Sequence, residues 1–236
     1  MSELAFYQTI EMLNLQDKLN SVVNVDWRTA NNDWPLAILM ECTEAIDHYG
    51  WKWWKKQEPN MEQLKMELVD IWHFMLSSLI ISHEEWDGTM DELAVNIVTD
   101  FFNAKYVVPF YNDKNTLFHL KELAKSAAKG EINVNKFSKV MSKVGLSWEE
   151  LCSMYIGKNC LNIFRQANGY KTGGYYKDWS SAKLDTPIER TELEDNDHLE
   201  DILRKFGNGR DTFDKVMCEL NSRYSMVVEH NCKACT

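Results

Sequence analysis

Two stretches of the sequence carry carboxylate pairs at the same spacing: Glu41 and Glu44 in "MECTEAI", Glu67 and Asp70 in "MELVDIW". A separation of three puts both members of a pair on one helix face, about 5–6 Å apart at the β-carbons. Each face is set among apolar residues, Ile38, Leu39, Ala45 and Ile46 in the first stretch and Leu64, Leu68, Ile71 and Phe74 in the second. Buried carboxylates are rare unless paired, and two held close together repel until one takes up a proton. A cation among four of them removes both penalties. Oxygen-only ligation suits magnesium, with manganese as a substitute, rather than zinc. Magnesium serves phosphate substrates, so the spacing points to metal-assisted phosphoanhydride chemistry. Two plainer readings compete: acidic pairs on solvated faces, or one pair neutralised by Lys52, Lys55 and Lys56 without a metal.

A second group is basic. Between Tyr155 and Lys177 there are four basic residues and no acidic one. Lys158, Asn162 and Arg165 are spaced four and then three apart and so line one helix face. Lys171 and Lys177 follow in the loop "GYKTGGYYKDW", where Gly173 and Gly174 permit a mobile lid. An arginine fork, lysine point charges and an amide together suit a polyphosphate. The competing reading is a solvated basic face that pairs with the acidic surface. The sequence has neither G-x-x-x-x-G-K-S/T nor a G-x-G-x-x-G after a strand, which excludes those two routes to nucleotide binding.

The elements that must position these residues are helical throughout. Apolar residues recur at helical spacing from Ser2 to about Val23. Pro35 suits the first turn of a second helix that stops near Gly50. Asn60 with Gln63 opens a third, Met61 to about Ser82, and Thr89 with Glu92 a fourth through "DELAVNIVTDFFNAKY". Helical patterns follow in "TLFHLKELAKSAAK" and "VNKFSKVMSKVG", and Ser147 with Glu150 opens a longer helix that ends near Gly169. The more acidic remainder is helical near "HLEDILRKF" and "DTFDKVMCELNSRY". No stretch alternates with a period of two, so the class is all-α.

Composition agrees. The 236 residues include only ten glycines and four prolines, which argues against a turn-rich β sandwich. A formal charge of −10 argues against wholesale nucleic-acid binding and leaves room for a cation and a locally basic site. The N-terminus does not read as a secretory signal, and no apolar run reaches the roughly 18 residues of a membrane span, so a cytoplasmic protein is expected. The six cysteines read as free thiols, apart from Cys232 and Cys235, a C-x-x-C beside His230 that could bind metal or cycle redox states.

The pattern "ECTE", a gap, "ELVD", and then "YIGKNCLNIFRQANGYKTGGYYKDW" resembles the dimeric deoxyuridine triphosphatases of the all-α nucleoside triphosphate pyrophosphatase superfamily. The resemblance runs from about Leu13 to Trp179, with an echo in "EDNDHLEDIL". The acidic motif alone marks the superfamily; the block from Tyr155 to Trp179 and "DIWHF" are more specific to the dimeric enzymes. It implies a bundle-like catalytic core over residues 1–180 and a smaller helical and loop extension over 181–236, in the same domain or as an appendage. It further implies a homodimer that hydrolyses dUTP, and also dUDP, with magnesium.

Residue by residue, the resemblance makes Glu41, Glu44, Glu67 and Asp70 the metal ligands, with Glu44 or a neighbouring carboxylate such as Glu41 orienting the attacking water. Gln16 and Asn20 hold uracil and sugar, and Trp51 or Trp53 with His73 and Phe74 wall the nucleoside. Asn162 reaches the nucleotide, while Lys158, Arg165, Tyr170, Lys171 and Lys177 grip the phosphates. Asn196 corresponds to an asparagine in "EDN", across a stretch after Trp179 longer than the family pattern. Three rivals remain: a pyrophosphatase preferring dCTP or a modified nucleotide, a di-iron or di-manganese bundle oxidase in which Asp70-x-x-His73 supplies one motif, and a nucleotide-sensing protein without turnover.

Overall fold

Short polar side chains open the helices, and Asn60 and Thr89 do so where their spacing predicts. Asp33 accepts the Leu36 N–H at 2.9 Å and starts α2 (Trp34–Tyr49), which ends at Gly50 with φ +85°. Asn60 accepts the Gln63 N–H at 3.2 Å and starts α3 (Met61–Glu84). Thr89 and Glu92 bond reciprocally, at 2.8 and 3.3 Å, ahead of α4 (Met90–Asn103). The other helices are α1 (Glu3–Val23), α5 (Thr116–Ala127), α6 (Val134–Val144), α7 (Trp148–Ala167), α8 (Asp195–Phe206) and α9 (Thr212–Ala234). The structure is a computed structural model and describes residues 3–85, 87–103, 116–186, 192–206 and 212–234. Residues 104–106 of the fourth expected helix and Cys235 of the terminal pair lie outside them. Among the described residues the only extended pairing is an isolated bridge between Asp178 and Glu194. The fold is all-α.

The chain forms two compact units, Met1–Cys152 and Ser153–Thr236. In the first, α3 is the central element and packs on α1, α2, α4 and α6. It is buried on nearly every side: Leu64, Leu68, Ile71, Trp72, Met75 and Leu76 are all fully enclosed. Trp72 stacks on Phe137 with centroids 5.0 Å apart and meets Phe101 and Trp148 edge-on. On a helix so enclosed, the position of buried Glu67 and half-buried Asp70 requires an account.

The second unit is built on Phe164, Trp179, Leu199, Ile202, Leu220 and Tyr224, with Tyr175 stacked on Tyr224 at 5.0 Å. Beside this core lies a buried charge network. The Arg223 guanidinium meets Asp201 at 2.9 Å and Asp185 at 3.0 Å, and its Nη1 donates to His198 Nδ1 at 3.2 Å. His198 Nε2 therefore carries the ring proton and donates to the Trp179 carbonyl at 3.1 Å. Burial and the adjacent Arg223 charge push the His198 pKa below its ordinary value. Burial acts to raise the Asp201 pKa, but the N–H groups of Asp185 and Thr186 and the Arg223 side chain hold it below the usual range.

Replacing Arg223 with alanine strands buried Asp201 and is expected to cost about 3–5 kcal/mol, read as a lowered midpoint in urea unfolding. An unfolded histidine takes up its proton near pH 6.5, whereas folded His198 resists it. Its contribution to stability is therefore complete above that pH and is lost as pH falls. Thermal unfolding scans should show the midpoint dropping below pH 6.5, and the drop should shrink in His198→Gln.

Candidate active site

Where α2 packs on α3, their facing sides bring Glu41, Glu67 and Asp70 together, each offering an oxygen atom within 4.8 Å of the others. Glu67 is buried, and Glu41 and Asp70 are half-buried. Three such groups cannot all ionise without a counter-charge. Burial, followed by the charges of Asp70, Glu67 and Glu44, pushes the Glu41 pKa up to about 8. The same surroundings push the Cys42 thiol, on the inner side of α2, up to about 12. Glu44, the fourth carboxylate expected at the metal, is exposed and stands outside the group of three, although its charge acts on Glu41. His48, which sequence spacing did not single out, reaches Glu67 at 3.2 Å. It lies seven residues after Glu41, two helical turns along α2, and that interval was the available signal.

The donor set is three carboxylates in a partly enclosed space, which fits a hard divalent cation. None of the lysines considered as neutralising partners pairs with this group: Lys52 meets Asp47 at 3.0 Å and Lys56 meets Glu58 at 3.2 Å.

One turn further along α3, a chain of hydrogen bonds ties that helix to α1. His73 Nδ1 contacts Gln16 Oε1 at 2.7 Å, Gln16 Nε2 donates to Asn20 Oδ1 at 2.9 Å, and Asn20 Nδ2 donates to Ser77 Oγ at 2.9 Å. Ser77 in turn donates to the His73 carbonyl at 2.9 Å. Three residues expected at the nucleoside, Gln16, Asn20 and His73, therefore form one buried network, and Ser77 completes it. Phe74 is half-buried, with its ring 6.1 Å from Trp34, which in turn meets Trp27 at 6.3 Å. Trp51 and Trp53 are 41% and 89% exposed, far from the usual burial of so large an apolar ring.

The basic residues gather in the second unit. The Arg165 fork holds buried Asp195 through two bonds of 2.8 Å, and its Nη1 donates to Asn162 Oδ1 at 3.1 Å. Asn196 Oδ1 accepts from Lys158 at 3.2 Å and from Arg165 at 3.4 Å. Tyr175 donates to Asp195 at 2.8 Å, and the Tyr170 ring lies 5.6 Å from the guanidinium. Lys171 is exposed, and Lys177 pairs with Glu194 at 3.0 Å. Burial pulls the Arg165 pKa down, but the bond to Asp195 outweighs it and keeps the guanidinium firmly charged. Asp195 and Tyr175 were missed at the sequence level. Asp195 is the middle letter of "EDN", and its adjacency to Asn196 was the signal.

A family model described as dUTPase matches residues 8–170. The chain belongs to the dUTPase family. It is a dUTPase-family enzyme, a hydrolase acting on a dUTP-like nucleotide, and its acidic cluster is able to coordinate a divalent metal. No curated protein matches the chain. No described helix is long and apolar enough to cross a membrane.

Between its ordinary 4.5 and about 8, folded Glu41 keeps a proton that the unfolded chain has lost, so metal-free protein loses stability as pH rises through that window. A bound divalent cation removes the need for that proton. Melting scans with and without magnesium should therefore show a larger rise in midpoint at pH 8.5 than at pH 5.5. An equal rise at both values would show that Glu41 does not couple to the metal.

Proposed function

We propose that this dUTPase-family enzyme converts dUTP to dUMP and pyrophosphate with magnesium, manganese substituting, and that it also accepts dUDP. The observation that carries the reading is the convergence of Glu41, Glu67 and Asp70 within 4.8 Å on a helix pair otherwise packed with apolar residues. These three residues, with Glu44, would hold the cation. Bound magnesium supplies neutralisation of phosphate charge and a lowered pKa for water.

The remaining work falls to the chain's own residues. Glu44, exposed beside the cluster, accepts the proton of the attacking water, with Glu41 as the neighbouring carboxylate that helps to orient it. Gln16 and Asn20 present amide groups suited to the uracil edge and the sugar. His73, Phe74 and either Trp51 or Trp53 supply walls for the nucleoside, and Asn162 makes a further polar contact. Lys158, Arg165, Tyr170, Lys171 and Lys177 bind the phosphates and stabilise charge on the leaving group. Asn196, bonded to both Lys158 and Arg165, keeps those two cations in place. In this reading residues 1–180 are the catalytic core and 181–236 its extension, and the working form is a cytoplasmic homodimer.

The bundle-oxidase alternative is weakened because the group whose ligand atoms converge within 4.8 Å is Glu41, Glu67 and Asp70, without His73. Metal analysis that found tightly bound iron would restore it.

A panel of dUTP, dUDP, dCTP and dTTP, assayed for released pyrophosphate or phosphate with magnesium present, tests the substrate. dUTP should be turned over fastest, and dCTP turnover as fast or faster would overturn the uracil assignment. Because Glu44 is exposed, Glu44→Gln should fold normally and lose roughly 10²–10⁴-fold in kcat. Unchanged turnover would remove Glu44 from the chemistry.

A further inference from the structure

The helical hairpin formed by α5 and α6 has a charge balance opposite to that of the whole chain. From Thr116 to Ser147 there are six lysines and no arginine against two glutamates, in a protein of formal charge −10. Glu122 meets Lys125 at 3.7 Å. Lys121, Lys129 and Lys139 form no ion pair among the described residues, and the Lys136 ammonium is turned onto Ser126 Oγ. Lys136 and Lys139 lie three apart on one face of α6, so their charges repel one another.

A cavity of about 160 Å³ is lined by Phe118, His119 and Glu122 of α5 and by Lys136 and Lys139 of α6. None of these residues belongs to the acidic cluster, the Gln16–His73 network or the Arg165 group. The cavity far exceeds the ~30 Å³ share of one water. It also falls well short of the roughly 300–1,000 Å³ typical of sites for drug-sized ligands. The space and the two lysines in its lining fit a compact, multiply charged anion. A long polyanion is a poorer match, because beyond the hairpin it would run along a strongly acidic chain.

We propose that this cavity binds the phosphate group of a small phosphorylated anion: inorganic phosphate, pyrophosphate, or the phosphate end of a nucleoside monophosphate. Lys136 and Lys139 act as point charges on the phosphate oxygens, and His119 lies in the same lining. Glu122 repels a fully ionised oxygen and accepts a hydrogen bond from a protonated one, and the Phe118 ring closes the apolar side. Two of these anions are products of the reaction proposed above, yet the site rests on its own residues and stands whatever nucleotide the enzyme prefers.

The test uses the full chain with magnesium chelated. Phosphate, pyrophosphate and dUMP are titrated separately at constant ionic strength while the His119 ring signals are followed by NMR, assigned with His119→Gln. A saturable shift is expected with at least one of the three, and their order of affinity identifies the source of the phosphate group. Lys139→Gln should weaken that binding roughly tenfold or more, as expected for loss of a charged hydrogen bond. Its thermal midpoint and its kcat/KM for dUTP should stay at wild-type values, because Lys139 makes no ion pair among the described residues. The proposal is overturned by any of three outcomes: no saturable shift with any anion, undiminished binding in both Lys139→Gln and Lys136→Gln, or a short DNA duplex that shifts His119 at lower concentration than all three.

Discussion

The mutual repulsion of Glu41, Glu67 and Asp70 is the constraint around which the first unit is arranged. Three acids cannot share that space in ionised form without a compensating positive charge, and Glu41 responds by keeping its proton up to about pH 8. A protein that only needed stability would fill this space with apolar side chains, since replacing buried charge by hydrocarbon is often neutral or favourable. The enclosure of α3 by four other helices keeps the acids in place despite that penalty. Leu64, Leu68 and Ile71, all fully enclosed, hold the helix in register.

The same helix serves two kinds of chemistry because its side chains repeat every three or four residues. Glu67 and Asp70 lie toward α2, whereas His73 and Ser77, farther along, bond to Gln16 and Asn20 of α1. Both groups are thereby held at a fixed spacing along one helix. In the second unit an equivalent logic applies to positive charge. Asp195 neutralises and aims Arg165, while Asn196 gathers Lys158 to the same place, so the start of α8 fixes these two basic residues of α7. The Arg223, His198 and Asp201 network anchors the segment that carries them.

The helices were legible because local rules govern them. Caps at Asn60 and Thr89, Pro35 in the first turn of α2 and the stops at Gly50 and Gly169 depend on neighbours within four residues. The acidic pairs, the basic face of α7 and the family resemblance were legible for the same reason, as residues at fixed intervals. Less legible were contacts between distant segments. Nothing in the spacing of Glu44 distinguishes it from Glu41, yet one is exposed and the other lies in the cluster, because α2 turns only one of its sides fully to α3. Ser77, Asp195 and His48 became visible as partners only once their helices were packed.

The sequence by itself determined the all-α class, the extent of most helices, the candidate ligands and the family pattern, all of which follow from period, capping and residue type. The tertiary structure decided which acids converge, that Gln16, Asn20 and His73 form one network, and that Arg165 is held by Asp195. It also decided that Trp53 stands almost wholly in solvent and that Lys136 and Lys139 of α6 line a cavity with Phe118, His119 and Glu122 of α5. The physical reason is range. Helix formation is settled by hydrogen bonds four residues apart, whereas burial, charge coupling and cavities depend on which surfaces meet across tens of residues.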